Sequence, residues 1–186
     1  MLLLSFSPWI LFGILSGHTL TSLEIALGVS LILTIILSYK DLRQKMIVSW
    51  TTLIYFLVAC ILVIGLHQYV VIPYIGIASN AVLTLLAFGT LAAGMPFTMQ
   101  YARRDVPQER WTDPVFIRIN QVMTAGWGVL FLIGFINSLI QFCYPDFLGV
   151  LGDGLMYVTI VIGLVFTMKY PAYAKKKAAE AKAKVA

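Results

Sequence analysis

Lysine and arginine are absent from residues 1–39, 46–102 and 119–168. Charge of either sign is scarce, at 11% of 186 residues, where a soluble domain carries about a quarter. A soluble globular reading is therefore excluded. Histidine and cysteine occur only twice each. His18 and His67 fall in short turns, which leaves a haem within the apolar segments without an axial histidine. Cys60 and Cys143 lack the close spacing of a metal-binding pair and do not read as a structural disulfide. No metal and no cofactor is expected.

Also missing are a glycine-rich phosphate loop at a strand-to-helix junction and a nucleophile with a neighbouring base and orienting group. No catalytic residues are assigned, and the sequence leans away from an enzyme. Met1 to Gly17 has neither a basic n-region nor a small-residue cleavage site. It is expected to be a retained first span.

What is present is apolar: 60% of the residues are hydrophobic, and the mean hydropathy is +0.92. A helical crossing takes about 20 such residues. The sequence predicts an all-α polytopic bundle of six transmembrane helices, over about 2–20, 22–39, 46–66, 72–95, 117–142 and 147–169. These fill a single membrane domain, 1–172, followed by a basic tail, 173–186. Asp113-Pro114 reads as a helix N-cap with proline in the first turn. Thr84, Gly89 and Ala93 suggest a close helix contact, Gly89 and Ala93 being a small-xxx-small pair. Gly152 and Gly154 suggest another.

The basic residues form three patches: Lys40, Arg43 and Lys45; then Arg103, Arg104, Arg110 and Arg118; then Lys169, Lys175, Lys176, Lys177, Lys182 and Lys184. Cytoplasmic loops concentrate lysine and arginine near span ends. With six spans, that rule places both termini in the cytoplasm of a bacterial inner membrane. The net charge of +5 then faces anionic lipid headgroups rather than nucleic acid.

Polar side chains within lipid are costly, and each is a candidate for function. Asp153 leads, in the outer half of the last span, with Glu24, Asn80, Asn120 and Asn137 as further intramembrane candidates. Glu24 reads as a first-turn acid satisfied by the helix dipole. The densest constellation is the loop from Gln100 to Arg118. It holds Arg103, Arg104, Arg110 and Arg118 against Asp105, Glu109 and Asp113, with Tyr101 and Trp111 suited to headgroup depth. It reads either as a platform for a partner protein or anionic headgroup, the arginines presenting planar donor forks, or as self-contained salt bridging.

Two stretches resemble a known family. Tyr39-Lys40-Asp41-Leu42-Arg43-Gln44-Lys45-Met46 is similar to the basic Lys-Met junction of the intracellular septation protein A family of bacterial inner-membrane proteins. Arg118-Ile119-Asn120, followed by Trp127, Phe131 and Asn137, resembles that family's Arg-x-Asn, Trp, Phe, Asn series. Trp127 and Asn137 stand about one helical turn farther from Asn120 than in that pattern, and Phe116 stands where a tryptophan is expected. The resemblance implies a cell-envelope role tied to septation through protein partners, without assigned catalytic residues.

The leading expectation is an inner-membrane scaffold or accessory subunit, working with a membrane-protein partner or as a homo-oligomer. The alternative is a small-molecule or ion transporter or channel using Asp153.

Overall fold

Backbone amides in an apolar setting have no water to bond and satisfy one another by coiling into helices. In the computed structural model, 88% of the chain is helical, with no strand among the described residues. Those are residues 2–17 and 19–183, excluding the side chains of Leu2, Leu3, Asp146, Leu148, Val150, Asp153 and Lys182. His18 and Lys184 lie outside them.

The helices are α1 (Leu2–Leu15), α2 (Leu20–Leu37), α3 (Tyr39–Arg43), α4 (Ile47–Cys60), α5 (Ile72–Ala92), α6 (Phe97–Ala102), α7 (Pro114–Cys143) and α8 (Pro145–Ala183). A π-turn over Ile61–Gly65 extends α4, and a 3-10 turn over Tyr69–Val71 precedes α5. Five segments are long and apolar enough to cross a membrane: Leu20–Leu37, Ile47–Gly65, Tyr69–Ala92, Pro114–Cys143 and Gly154–Ala181. The first helix closes at Leu15 rather than near residue 20. Its 14 residues give about 21 Å, less than the ~30 Å hydrocarbon core. Contacts divide the chain within α5 into two compact units, Met1–Val82 and Leu83–Ala186.

In the first unit, α1, α2 and α4 pack on one another. Ser30 Oγ on α2 donates to the Pro8 carbonyl of α1 at 3.1 Å. Beyond the end of α2, the buried carboxylate of Asp41 accepts from Ser5 Oγ at 2.7 Å. Helix α1 thus runs antiparallel to α2, with its start beside α3. Pro8 has no N–H to give the Leu4 carbonyl. The Ser7 hydroxyl donates there instead, at 2.6 Å.

The core of this unit is aromatic. Trp9 stacks obliquely on Tyr55 and Phe56 at 4.8 and 4.9 Å, and Phe12 meets Phe56 edge-on. The Trp9 indole donates to Thr52 Oγ1 at 2.8 Å. Tyr55 Oη reaches the start of α5, 3.0 Å from the Ile75 carbonyl and 2.6 Å from Ser79 Oγ.

Helix α3 ends in a left-handed turn that puts Lys45 at φ +55°. The Met46 and Lys45 amides donate to the Asp41 and Leu42 carbonyls, which is the Schellman closure. It is the arrangement that Gly94 makes after α5, at φ +72°, but with a lysine where glycine is favoured.

In the second unit, α7 and α8 form an antiparallel hairpin joined through Tyr144. Asn137 Nδ2 donates to the Gly152 carbonyl at 3.0 Å. Farther along both helices, Trp127 Nε1 donates to Thr167 Oγ1 at 3.0 Å. Beside Gly152, which the sequence singled out, further close approaches use glycines that it did not. Aromatic rings lie where Cβ atoms would stand on Gly126, Gly128 and Gly163, facing Phe166, Phe88 and Trp127 respectively. Gly89 and Gly154 instead have nothing within 4 Å of a Cβ position among the described residues. No described neighbour thus meets the small-xxx-small pattern at Gly89; spacing alone cannot tell which helix face meets a neighbour.

Helices α7 and α8 have 30 and 39 residues, about 45 and 58 Å, so both outrun a hydrocarbon core. The basic tail, good in helix propensity, continues α8 as helix to Ala183. An exposed Lys176–Glu180 pair at 4.0 Å lies along it.

Candidate functional site

Residues 96–113 connect α5 to α7 and mix basic with acidic side chains, Arg103, Arg104 and Arg110 with Asp105, Glu109 and Asp113. Glycine at Gly94 turns the chain out of α5, and Pro96 starts the short helix α6. Phe97, Thr98, Met99 and Tyr101 of α6 are buried. Thr98 Oγ1 donates to the Asn120 carbonyl at 3.0 Å and lies 2.9 Å from Thr124 Oγ1. This ties α6 to α7 and gives the loop a fixed base. Two 3-10 turns follow, Arg103–Asp105 and Gln108–Arg110, separated by Pro107. As expected from Asp113-Pro114, the Asp113 carboxylate caps α7, accepting from the Val115 amide at 2.8 Å.

Two of the arginines lie against rings. Arg103 Cζ lies 5.0 Å from the centre of the Trp111 ring, and Arg104 Cζ 5.7 Å from that of Tyr101. Trp111 is fixed in turn by its indole N–H, which donates to the Val106 carbonyl at 3.3 Å. Arg103 Nε is buried without a hydrogen-bond partner among the described residues. Arg103, Arg110 and Arg118 form no ion pair with any described carboxylate. Self-contained salt bridging of those three is thus not what holds this loop. Asp105, Glu109, Arg110 and Arg118 are exposed, and Tyr101 is buried under Arg104.

The intramembrane candidates scatter. Asp153 stands within α8, but its side chain is outside the described residues. Glu24 is half-buried in the second turn of α2. It is not in the first turn: α2 starts at Leu20, and Thr19 and Ser22 form its capping box. Asn80 Nδ2 donates to the Gly76 carbonyl of its own helix at 3.1 Å. Asn120 is buried and donates to the Phe116 carbonyl at 2.8 Å. Asn137 joins two helices, its Nδ2 donating to the Gly152 carbonyl of α8. Its Oδ1 is buried without a hydrogen-bond partner among the described residues.

Three polar pairs were not anticipated from the sequence: Ser5 with Asp41, Trp9 with Thr52, and Trp127 with Thr167. A carboxylate amid the basic residues of the first patch was the only available hint of the first. Cys60 is half-buried, Cys143 is exposed, and both are free thiols. Among the described residues, no group of three or more histidine, cysteine, aspartate or glutamate side chains is placed to hold a metal. No family model, curated protein or solved structure matches this chain.

Proposed function

We propose that this chain is a six-span inner-membrane scaffold or accessory subunit that presents the loop between α5 and α7 to a partner protein or to anionic lipid at the cytoplasmic face. The observation that carries this reading is the set of arginines in that loop and at the start of α7, braced by aromatic rings or exposed, with Arg103, Arg110 and Arg118 free of described carboxylates. Exposed ion pairs contribute little in any case. Arginines that spend their charge on no internal partner are available to an external one.

Six crossings, despite a short α1, are supported by the Ser5–Asp41 hydrogen bond. It brings the start of α1 to the basic end of α2, as a first crossing antiparallel to α2 requires. The distribution of lysine and arginine then favours a cytoplasmic position for both ends. A role in cell-envelope maintenance or septation follows from the resemblance at Tyr39–Met46 and Arg118–Asn137, and is part of the proposal.

Thiol labelling tests the topology. In a Cys60→Ser background, a membrane-impermeant maleimide should reach native Cys143 from outside intact cells. It should reach an Arg110→Cys, Cys143→Ser variant only after the cytoplasmic side is opened. Labelling of Arg110→Cys in intact cells would overturn the orientation. For the contact itself, alanine at Arg103, Arg104 and Arg110 together should release co-purifying protein or lipid, and unchanged association would count against the scaffold reading.

A further inference from the structure

Arg103 is in an unusual position for a surface cation. It is half-buried, its guanidinium lies over the Trp111 ring at 5.0 Å, and its Nε is desolvated without a hydrogen-bond partner among the described residues. No described carboxylate neutralises it. A buried polar group left unsatisfied is costly, and each such group in a folded protein calls for an explanation, a bound ion being one.

The guanidinium lies over the Trp111 ring, and a ring accepts none of its N–H donors in the guanidinium plane. Those donors match the oxygens of a phosphate, which arginine binds through two parallel bonds. Arg104 follows on the same short turn, itself braced on Tyr101. The Asp113 carboxylate caps the α7 N-terminus through the Val115 amide, so an anion would be drawn to the arginines rather than to the helix end.

We infer that the Arg103–Trp111 clamp, with Arg104 beside it, binds the phosphate of an anionic lipid headgroup. The source of the phosphate follows from position. The loop joins two long apolar helices, α5 and α7, so the clamp lies where headgroups are. Tryptophan and tyrosine concentrate at that depth. Arg43 provides an internal contrast: its guanidinium lies 4.9 Å over Tyr39, but the residue is exposed. It is a stacked cation without the desolvated edge.

The inference rests on the membrane placement proposed above, and the two fail separately. Labelling of Arg110→Cys from outside intact cells would sink the placement. A correctly placed Arg110 without headgroup preference would sink the clamp alone.

The test is native mass spectrometry of the full chain in detergent, challenged with phosphatidylglycerol or phosphatidylcholine. The wild type should retain phosphatidylglycerol about tenfold better. Arg103→Gln, and also Arg103→Lys, which keeps the charge and loses the planar fork, should reduce that preference to near unity. Trp111→Phe should keep most of it, and Trp111→Leu should lose it, with the helical circular dichroism of every variant unchanged. Arg43→Gln should behave as wild type. A full preference in Arg103→Gln, or an equal loss in Arg43→Gln, overturns the clamp. Displacement of the lipid by millimolar inorganic phosphate would overturn the headgroup assignment in favour of a soluble phosphate.

Discussion

The Trp127 indole donates to Thr167 Oγ1 across 3.0 Å while its ring lies over Gly163, one turn earlier on α8, where a Cβ would stand 2.5 Å from the ring. Thr167 Oγ1 in turn donates to the Gly163 carbonyl at 2.8 Å. An indole N–H within lipid has no water to bond and needs a partner on a neighbouring helix. The first unit uses the same device: Trp9 Nε1 donates to Thr52 Oγ1, which donates to the Val48 carbonyl at 2.8 Å. In each case a threonine that bonds its own helix also accepts a tryptophan from the next.

Gly163→Ala should therefore destabilise the α7–α8 hairpin. The added methyl meets a ring that is tethered at its nitrogen and cannot swing aside freely, and overpacking of this kind costs about 1–3 kcal/mol. Thermal unfolding of the purified chain in detergent should show a lowered midpoint. Gly89→Ala is the counterpart. With nothing within 4 Å of the new Cβ among the described residues, it should be neutral or stabilising by up to about 1 kcal/mol through helix propensity. Equal behaviour of the two variants would contradict the packing described here.

The Trp9–Thr52 bond can be isolated by a double-mutant cycle using Trp9→Phe and Thr52→Val. Interhelical hydrogen bonds in membrane proteins average about 0.6 kcal/mol, with a maximum near 1.7. This one should fall in the upper part of that range, since both residues are buried and the distance is 2.8 Å. Additive effects of the two substitutions would mean that the bond contributes nothing.

Lys45→Gly should stabilise the turn between α3 and α4. A left-handed conformation costs a residue bearing a Cβ about 1–2 kcal/mol, and glycine adopts it freely. Lys45→Ala keeps the Cβ and should give no such gain. A melting temperature raised equally by both would trace the effect to the lost charge instead of to the backbone.

The helical architecture was legible because apolar content and the need to satisfy backbone amides leave little choice of structure. The α7 start was legible too, since Asp113-Pro114 is a local signal that the Val115 amide answers. Glu24 was not: the capping signal Thr19–Ser22 begins α2 two residues before the expected Ser22, moving Glu24 into the second turn. The close contact expected at Gly89 meets no described neighbour for a related reason. Small residues permit approach, but only the neighbour decides whether they are approached. Gly126, Gly128 and Gly163 are the glycines that have rings against them.

In the loop, the sequence supplied Tyr101, Arg103, Arg104, Arg110, Trp111 and Arg118 as one cluster, because they lie within eighteen positions of one another. It could not pair them, since stacking between Arg103 and Trp111 requires both intervening 3-10 turns. Local composition by itself determined that the chain forms apolar helices with its basic residues confined to a few junctions, because those properties depend on each segment alone. Which arginine stacks, which glycine is covered and which hydroxyl meets Asp41 were decided only by the tertiary structure. Those relations join residues distant in sequence, and no local propensity encodes them.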